Sequence, residues 1–310
     1  MYTKKLTIAL ALAVGLCGLA QAKEGGDQSG PGAESWMAGA VPPPGNYYIN
    51  YTTYYSGSLR NGNGDKLDGP ANEVSALANV FRFLQVTDHQ FLGGNYGWQV
   101  IAPLVHQRLE LGGRSDSTTA QGDLTITPAV LSWHRGDWHW ATGLDVFIPT
   151  GAYHAGEPAR SVGANYWGFE PVFAATYLNE NGWEASAKFM YNFKTTNTGY
   201  RAAQGAPSQD YRSGDEFHMD FLLGKHFGPW GVGVSGYYLQ QTTDDKIDGQ
   251  SVAASPAWSE GRRGRVLGLG PSVSYASKSG LQFVGQWQHE TLVQNRFGGD
   301  KFWLKLIVPL

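Results

Sequence analysis

The sequence predicts an all-β protein, an antiparallel transmembrane β-barrel of about twelve strands behind a cleaved signal peptide. Three observations carry that reading. The first is a period of two between residues 183 and 194: Trp183, Ala185, Ala187, Phe189, Tyr191 and Phe193 are apolar, and Glu184, Ser186, Lys188, Met190, Asn192 and Lys194 alternate with them. After a polar loop the pattern returns, with Phe217, Met219, Phe221 and Leu223 on one face and His218 and Asp220 on the other. A strand this long needs lipid or a core on its greasy side and water or buried polar partners opposite, and a membrane barrel supplies both.

The second observation is the start of the chain. Lys4 and Lys5 precede an apolar run from 6 to 19 and the small-x-small site Ala20, Gln21, Ala22, which reads as a secretory signal over residues 1–22. That apolar run is short for a bilayer span. The third is composition: 42 Gly, 16 Tyr, 14 Phe and 11 Trp in 310 residues, at a mean hydropathy of -0.32. This is too polar for a helical membrane protein, but it suits a barrel in which only half of each strand must be apolar. The single cysteine, Cys17, lies in the signal, so no disulfide is expected in the mature chain, and bulky Leu16 argues against lipoprotein processing. A net charge of -3 gives no basic footprint for nucleic acid.

Residues 23–45 are rich in Gly, Pro and small side chains and include Pro42, Pro43 and Pro44. They are expected to form a flexible or partly extended periplasmic arm, with a segment folded back to plug a lumen as the functional alternative. The barrel then occupies 46–310. Its first strand, 46–55, is dense in tyrosine, a residue expected where the ring is buried and the hydroxyl wet at the membrane interface. Strand two, 76–86, sets Phe81 and Phe83 on either side of Arg82. A turn at 88–95, a strand at 96–111, a loop at 112–122 and a strand at 123–134 follow. Arg135, Gly136 and Asp137 reverse the chain into a fifth strand whose apolar face is Trp138, Trp140, Thr142, Leu144, Val146 and Ile148.

The sixth strand, 165–178, places Trp167, Phe169, Phe173 and Tyr177 opposite Glu170, and Asn181 with Gly182 turns it into the stretch beginning at Trp183. Loops at 196–213 and 242–260 flank strands eight and nine, which meet at Gly228 and Pro229. Strand ten covers 263–276. In strand eleven, 281–294, Phe283 and Trp287 oppose Gln282, Gln286, Gln288 and Glu290, and the last strand carries Phe302, Leu304, Leu306, Val308 and Leu310. Short turns and long loops are expected to alternate strictly. With both termini periplasmic, the turns face the periplasm and six longer loops the exterior. The even spacing leaves no second domain.

The inward-facing candidates are Arg82, Asp145, Glu170, Glu184, Lys188, Asn192, Lys194, His218, Asp220, Gln286, Gln288, Glu290 and Lys305. Interleaved acids and bases of this kind line a selective path or fill a narrow lumen as paired charges. His218 and Asp220, two apart on one face, have the spacing of an acid-base pair, with no nucleophile identifiable beside them. His134 and His139 near Asp137 read as polar turn residues rather than metal ligands, since no Cys or close His-x-Glu spacing supports them. Asp244, Asp245, Lys246 and Asp248 lack the glycine of a calcium loop and read as a solvated outer loop. No cofactor fingerprint is present.

Several stretches resemble an outer-membrane family named for the meta-cleavage pathway of phenol degradation. They are Pro149 to Tyr153, Asn165 to Trp167 before Pro171, Asp210 to Gly214, Gly236 to Asp245, Gly268 to Pro271 and Pro44 to Tyr48, and together they span about 41–310. The resemblance implies a transport-type barrel, encoded near aromatic-degradation enzymes in some bacteria, that passes small hydrophobic or aromatic compounds. Its partners would be outer-membrane lipid, the barrel-assembly machinery and those solutes. Leu310 departs from the phenylalanine that ends many such barrels. Two alternatives stand beside this reading: an outer-membrane barrel enzyme such as a lipid hydrolase, and a structural barrel with a filled lumen.

Overall fold

A strand crossing lipid has no water to pair its N–H and C=O groups, so a sheet in the bilayer must close on itself. The computed structural model describes residues 26–310, and the expected signal peptide lies outside the described residues. Twelve antiparallel strands close the ring: β1 (Gly45–Arg60), β2 (Glu73–Phe91), β3 (Gly94–Leu111), β4 (Leu124–Arg135), β5 (Trp138–Ile148), β6 (Gly168–Leu178), β7 (Trp183–Lys194), β8 (Glu216–Phe227), β9 (Trp230–Gln241), β10 (Arg265–Ala276), β11 (Gln282–Gln294) and β12 (Arg296–Pro309). The seam between β1 and β12 pairs without a slip from Tyr47 opposite Pro309 to Arg60 opposite Arg296. No described helix is long and apolar enough to cross a membrane.

The alternation sorts the side chains as expected. Phe173, Phe189, Leu223, Val234, Phe283 and Phe302 face outward, while Glu184, Ser186, Asn192, His218 and Asp220 are buried inside. Aromatic pairs mark the two edges of the greasy belt. Trp138 with Tyr177 and Trp230 with Tyr275 stand at the short-turn end, and Tyr191 with Phe193 and Trp167 with Phe169 at the other. From Trp183 to Phe193, at about 3.3 Å per residue and a tilt of about 40°, the belt is about 25 Å tall.

Five expectations are corrected. Residues 112–122 are not a loop: Arg114–Gln121 is a strand that pairs back onto β3, from Leu111 opposite Arg114 to Leu104 opposite Gln121, around Gly112 and Gly113 at positive φ. Its side chains are polar on both faces because it stands above the lipid, so no period-two signal betrays it. The last outer connection is Asn295 alone, at φ 52°, so turns and long loops do not alternate strictly. β2 runs on to Phe91, leaving Leu92 and Gly93 as the turn, and β6 begins only at Gly168. Tyr47 and Tyr51 point into the lumen rather than to the interface, since in β1 the odd-numbered residues face inward.

Two outer loops join each other rather than standing free. Asn197–Tyr200, Gln209–Arg212, Lys246–Ile247 and Gln250–Ser251 form a small four-stranded sheet across the 195–215 and 242–264 segments. In the wall, Pro128 coincides with register shifts on both sides of β4, and the β6–β7 ladder skips at Pro171. Proline has no N–H to donate to a ladder.

The facing of β7 has a direct test. Phe189→Arg, at mid-height on the lipid side, is expected to cost about 2–4 kcal/mol of folding free energy in vesicles. Ser115→Arg, on the polar strand above the belt, should stay within about 0.5 kcal/mol of wild type. Urea unfolding followed by tryptophan fluorescence measures both, and equal costs would overturn the assigned faces.

Candidate functional site: the occupied lumen

The segment expected as a periplasmic arm or, alternatively, as one folded back to plug the lumen lies inside the barrel over its described residues. Residues 26–44 run the height of the lumen, from the outer rim down to Pro42 and Pro43, and the wall holds them through backbone groups and side chains alike. At the top Arg296 donates to Asp27 at 2.9 Å. Lower down, Lys301 Nζ donates to the Pro31 carbonyl at 3.1 Å. Asp220 accepts the N–H of Gly32 at 2.8 Å and of Glu34 at 3.0 Å, and Gln286 and Gln288 donate to the Gly32 carbonyl. Gly32 has φ +82°, and a Cβ there would lie 2.2 Å from Gln288 Oε1, so only glycine fits.

Below the Asp220 clasp the arm presents side chains to the wall. Glu34 accepts from Arg82 at 2.7 Å, from Lys305 at 2.6 Å and from the Tyr51 hydroxyl at 2.8 Å. Trp36 donates to Ser272 Oγ at 2.9 Å, and its ring meets His226 edge-on at 4.9 Å between centroids. That ring lies over Gly224 and Gly231, where a Cβ would come within 2.4 and 2.9 Å of it. The Met37 N–H donates to Glu184 and the Gly39 N–H to Thr176 Oγ1.

All thirteen inward candidates face the lumen, and most reach the arm or each other. Arg82, Glu184, Asp220, Gln286, Gln288 and Lys305 bind the arm directly. Glu170 accepts from Asn192, Asp145 from Thr127, and Glu290 from Tyr55 and Tyr237. Lys194 pairs with Glu216 at 2.6 Å, and Lys188 lies in the field of Asp145, Glu34 and Glu170. The sequence reading missed the arm's half of this network, together with Tyr51, Arg296 and Lys301. No pattern in 26–44 announces it, although Glu34 and Trp36 are conspicuous in so small-residue a stretch.

His218 Nε2 lies 2.8 Å from Asp220 and its Nδ1 lies 3.2 Å from Ser29 Oγ of the arm. Serine, histidine and aspartate in that order form a nucleophilic relay when the serine is free to attack and N–H groups await an oxyanion. Here the neighbouring N–H groups, those of Gly32 and Glu34, already donate to Asp220, so the set acts as a clamp on the arm. His134 and His139 stand opposite each other with Nδ1 atoms 2.8 Å apart. Among the described residues no group of three possible metal ligands assembles.

The arm separates two spaces. Outside it is a vestibule of about 1200 Å³, bounded by Leu109, Leu111 and Arg114 on one side and Tyr153, Tyr200, Tyr211 and Arg262 on the other. Inside is a chamber of about 350 Å³ that reaches from the periplasmic mouth at Pro43, His139 and Gln282 up to Glu34, Arg82 and Lys305. The loops over the vestibule are pinned by Asp245, which is fully buried rather than solvated and accepts from Tyr211 at 2.6 Å and from Gly214 N–H and Gln241 at 2.8 Å each. Burial pushes its carboxyl up to about 6, against the lowering effect of the Tyr211 and Gly214 donors.

Residues 56–306 match the model of a family described as "Putative MetA-pathway of phenol degradation". Among solved structures, an outer membrane channel from Pseudomonas putida F1 superposes with a TM-score of 0.75 at 14% identity, covering 89% of this chain and 99% of that one. Two autotransporter barrels are looser. They are the AIDA-I transport unit from Escherichia coli (TM-score 0.49, 9% identity, 88% and 94% covered) and the Bordetella BrkA β domain (0.48, 13%, 86% and 99%). No curated protein matches the chain.

The Asp245 pin should respond to pH. An acid whose folded pKa lies above its unfolded value of about 4 favours the folded loops when protonated, so its contribution is full below about pH 4 and is lost as pH rises to about 6. Hydrogen exchange of 209–214 in wild type relative to Asp245→Asn at the same pH cancels the intrinsic rate. That relative protection is expected to fall between pH 4 and 6 and stay flat above; a constant ratio would reject it.

Proposed function

The chain belongs to the MetA-pathway phenol-degradation family, and we propose that it is an outer-membrane channel for small hydrophobic, chiefly aromatic, compounds bound for degradation. The observation that carries this reading is the pair of chambers in series, closed from each other by a segment that is not a strand of the barrel. Here a chamber of about 350 Å³, lined by Tyr47, Ile49, Leu84 and Trp36 as well as charge, is left between wall and arm. Its size and mixed lining are those of sites that take small ligands.

On this reading Arg82, Asp145, Lys188 and Lys305 border the inner part of the path, and His218, Asp220, Gln286 and Gln288 hold the arm that closes it. Glu184 anchors the arm's lower end, while Glu170, Asn192, Lys194 and Glu290 set the upper wall. The Ser29, His218 and Asp220 set supports a clamp rather than hydrolysis. Insertion by the barrel-assembly machinery goes with the same reading.

Proteoliposomes test it. Wild type should pass labelled phenol or toluene faster than a sugar of similar size. Asp220→Ala removes the acceptor for Gly32 and Glu34 and should raise both aromatic flux and ion conductance, with the barrel still folded by its resistance to detergent at room temperature. If neither protein passes an aromatic above the protein-free rate, the channel reading is wrong.

A further inference from the structure

We propose that the place occupied by the Glu34 carboxylate is a binding station for the carboxylate of a small aromatic acid, which takes Glu34's position on Arg82, Lys305 and Tyr51 during passage. The proposal rests on the channel reading and names its substrate class. The donors belong to the wall, not to the arm. Tyr51 on β1 stands in register with Lys305 on β12, and Arg82 on β2 pairs with Ile49 two residues from Tyr51. Three adjacent strands therefore fix the donors whether or not Glu34 is there.

The station is built for a planar anion. Arg82 reaches both Glu34 and Tyr51 with a single terminal nitrogen, at 2.7 Å each, and its buried Nε has no hydrogen-bond partner among the described residues. Half of the guanidinium fork is thus unused, although carboxylates are held most firmly by two of its N–H groups at once. Lys188 adds a third positive charge to the field at Glu34. Asp145 and Glu170 share the field of Lys188, but among the described residues the ion pairs of Arg82 and Lys305 are both with Glu34.

The chamber beneath supplies the other half of an amphiphile's site. Tyr47, Ile49, Leu84 and Trp36 line it just below the cations, so a ring can lie against them while its carboxylate reaches Arg82 and Lys305. Moving Glu34 aside leaves two buried cations without their ion-pair partner, which is costly unless an anion replaces it. A neutral aromatic cannot do that, but an aromatic acid can.

Full-length Glu34→Ala and wild type in proteoliposomes distinguish the possibilities, with benzoate, benzamide and benzyl alcohol as probes. Glu34→Ala should bind benzoate saturably, read by tryptophan fluorescence, at least about ten-fold more tightly than its neutral analogue benzamide, as expected for a charge-assisted pair. Adding Arg82→Gln should erase that preference, with Lys305→Gln as the second variant if the first does not fold. In wild type the benzoate to benzyl alcohol flux ratio should drop by a similar factor on Arg82→Gln or Lys305→Gln. Equal binding of benzoate and benzamide by Glu34→Ala, or an unchanged flux ratio, overturns the station while benzyl alcohol flux leaves the channel intact. Absence of flux for every probe defeats the channel reading itself.

Discussion

The carboxylate of Asp220 is the point on which the interior depends. By taking two backbone N–H groups from Gly32 and Glu34 it fixes the left-handed bend at Gly32. The bend in turn sets where the next residues fall. Glu34 drops between Arg82 and Lys305, and Trp36 comes to rest on the flat made by Gly224 and Gly231. The wall thus binds a course of backbone, and the side chains of Glu34 and Trp36 are seated as a result.

A closed sheet has an inner face as extensive as its outer one, and when that face carries charge the charge must be answered. The barrel does so partly within itself, through Lys194 with Glu216 and Glu170 with Asn192, and partly with groups lent by the arm. Asp27 answers Arg296 and Glu34 answers Arg82 and Lys305. Taking one member of such a buried pair away leaves the other uncompensated, at a cost of about 3–5 kcal/mol. The resting arrangement is therefore closed, and opening it costs that pairing energy unless a substitute answers the charge.

The barrel was legible in the sequence because its signal is physical and local: lipid on one side and polar neighbours on the other impose a period of two on every crossing strand. Where that asymmetry ends, so does the legibility. Arg114–Gln121 stands in water on both faces and looks like a loop, and Asn295 turns the chain by backbone conformation alone. The inward set could be read residue by residue, yet its partners could not, because Gly32 and Glu34 meet Asp220 across nearly two hundred residues of chain. Asp210 to Gly214 and Gly236 to Asp245, two of the stretches that carry the family resemblance, prove to be the two halves of one contact, joined at Tyr211 and Asp245.

The rim of the barrel is uneven. β1, β2 and β3, with the strand after Gly113, carry their ladder well beyond the greasy belt, whereas β5 to β10 stop near its edge and hand over to the three long segments 149–167, 195–215 and 242–264. The vestibule lies between these two kinds of boundary. A ladder yields only by breaking paired backbone bonds in series, and the segments opposite carry only short ladders of a few pairs, with side-chain contacts such as that of Asp245. The mouth is accordingly a jaw with one fixed side, and whatever widens or narrows it must swing from the loop side, above the half of the barrel where Pro128 and Pro171 interrupt the wall.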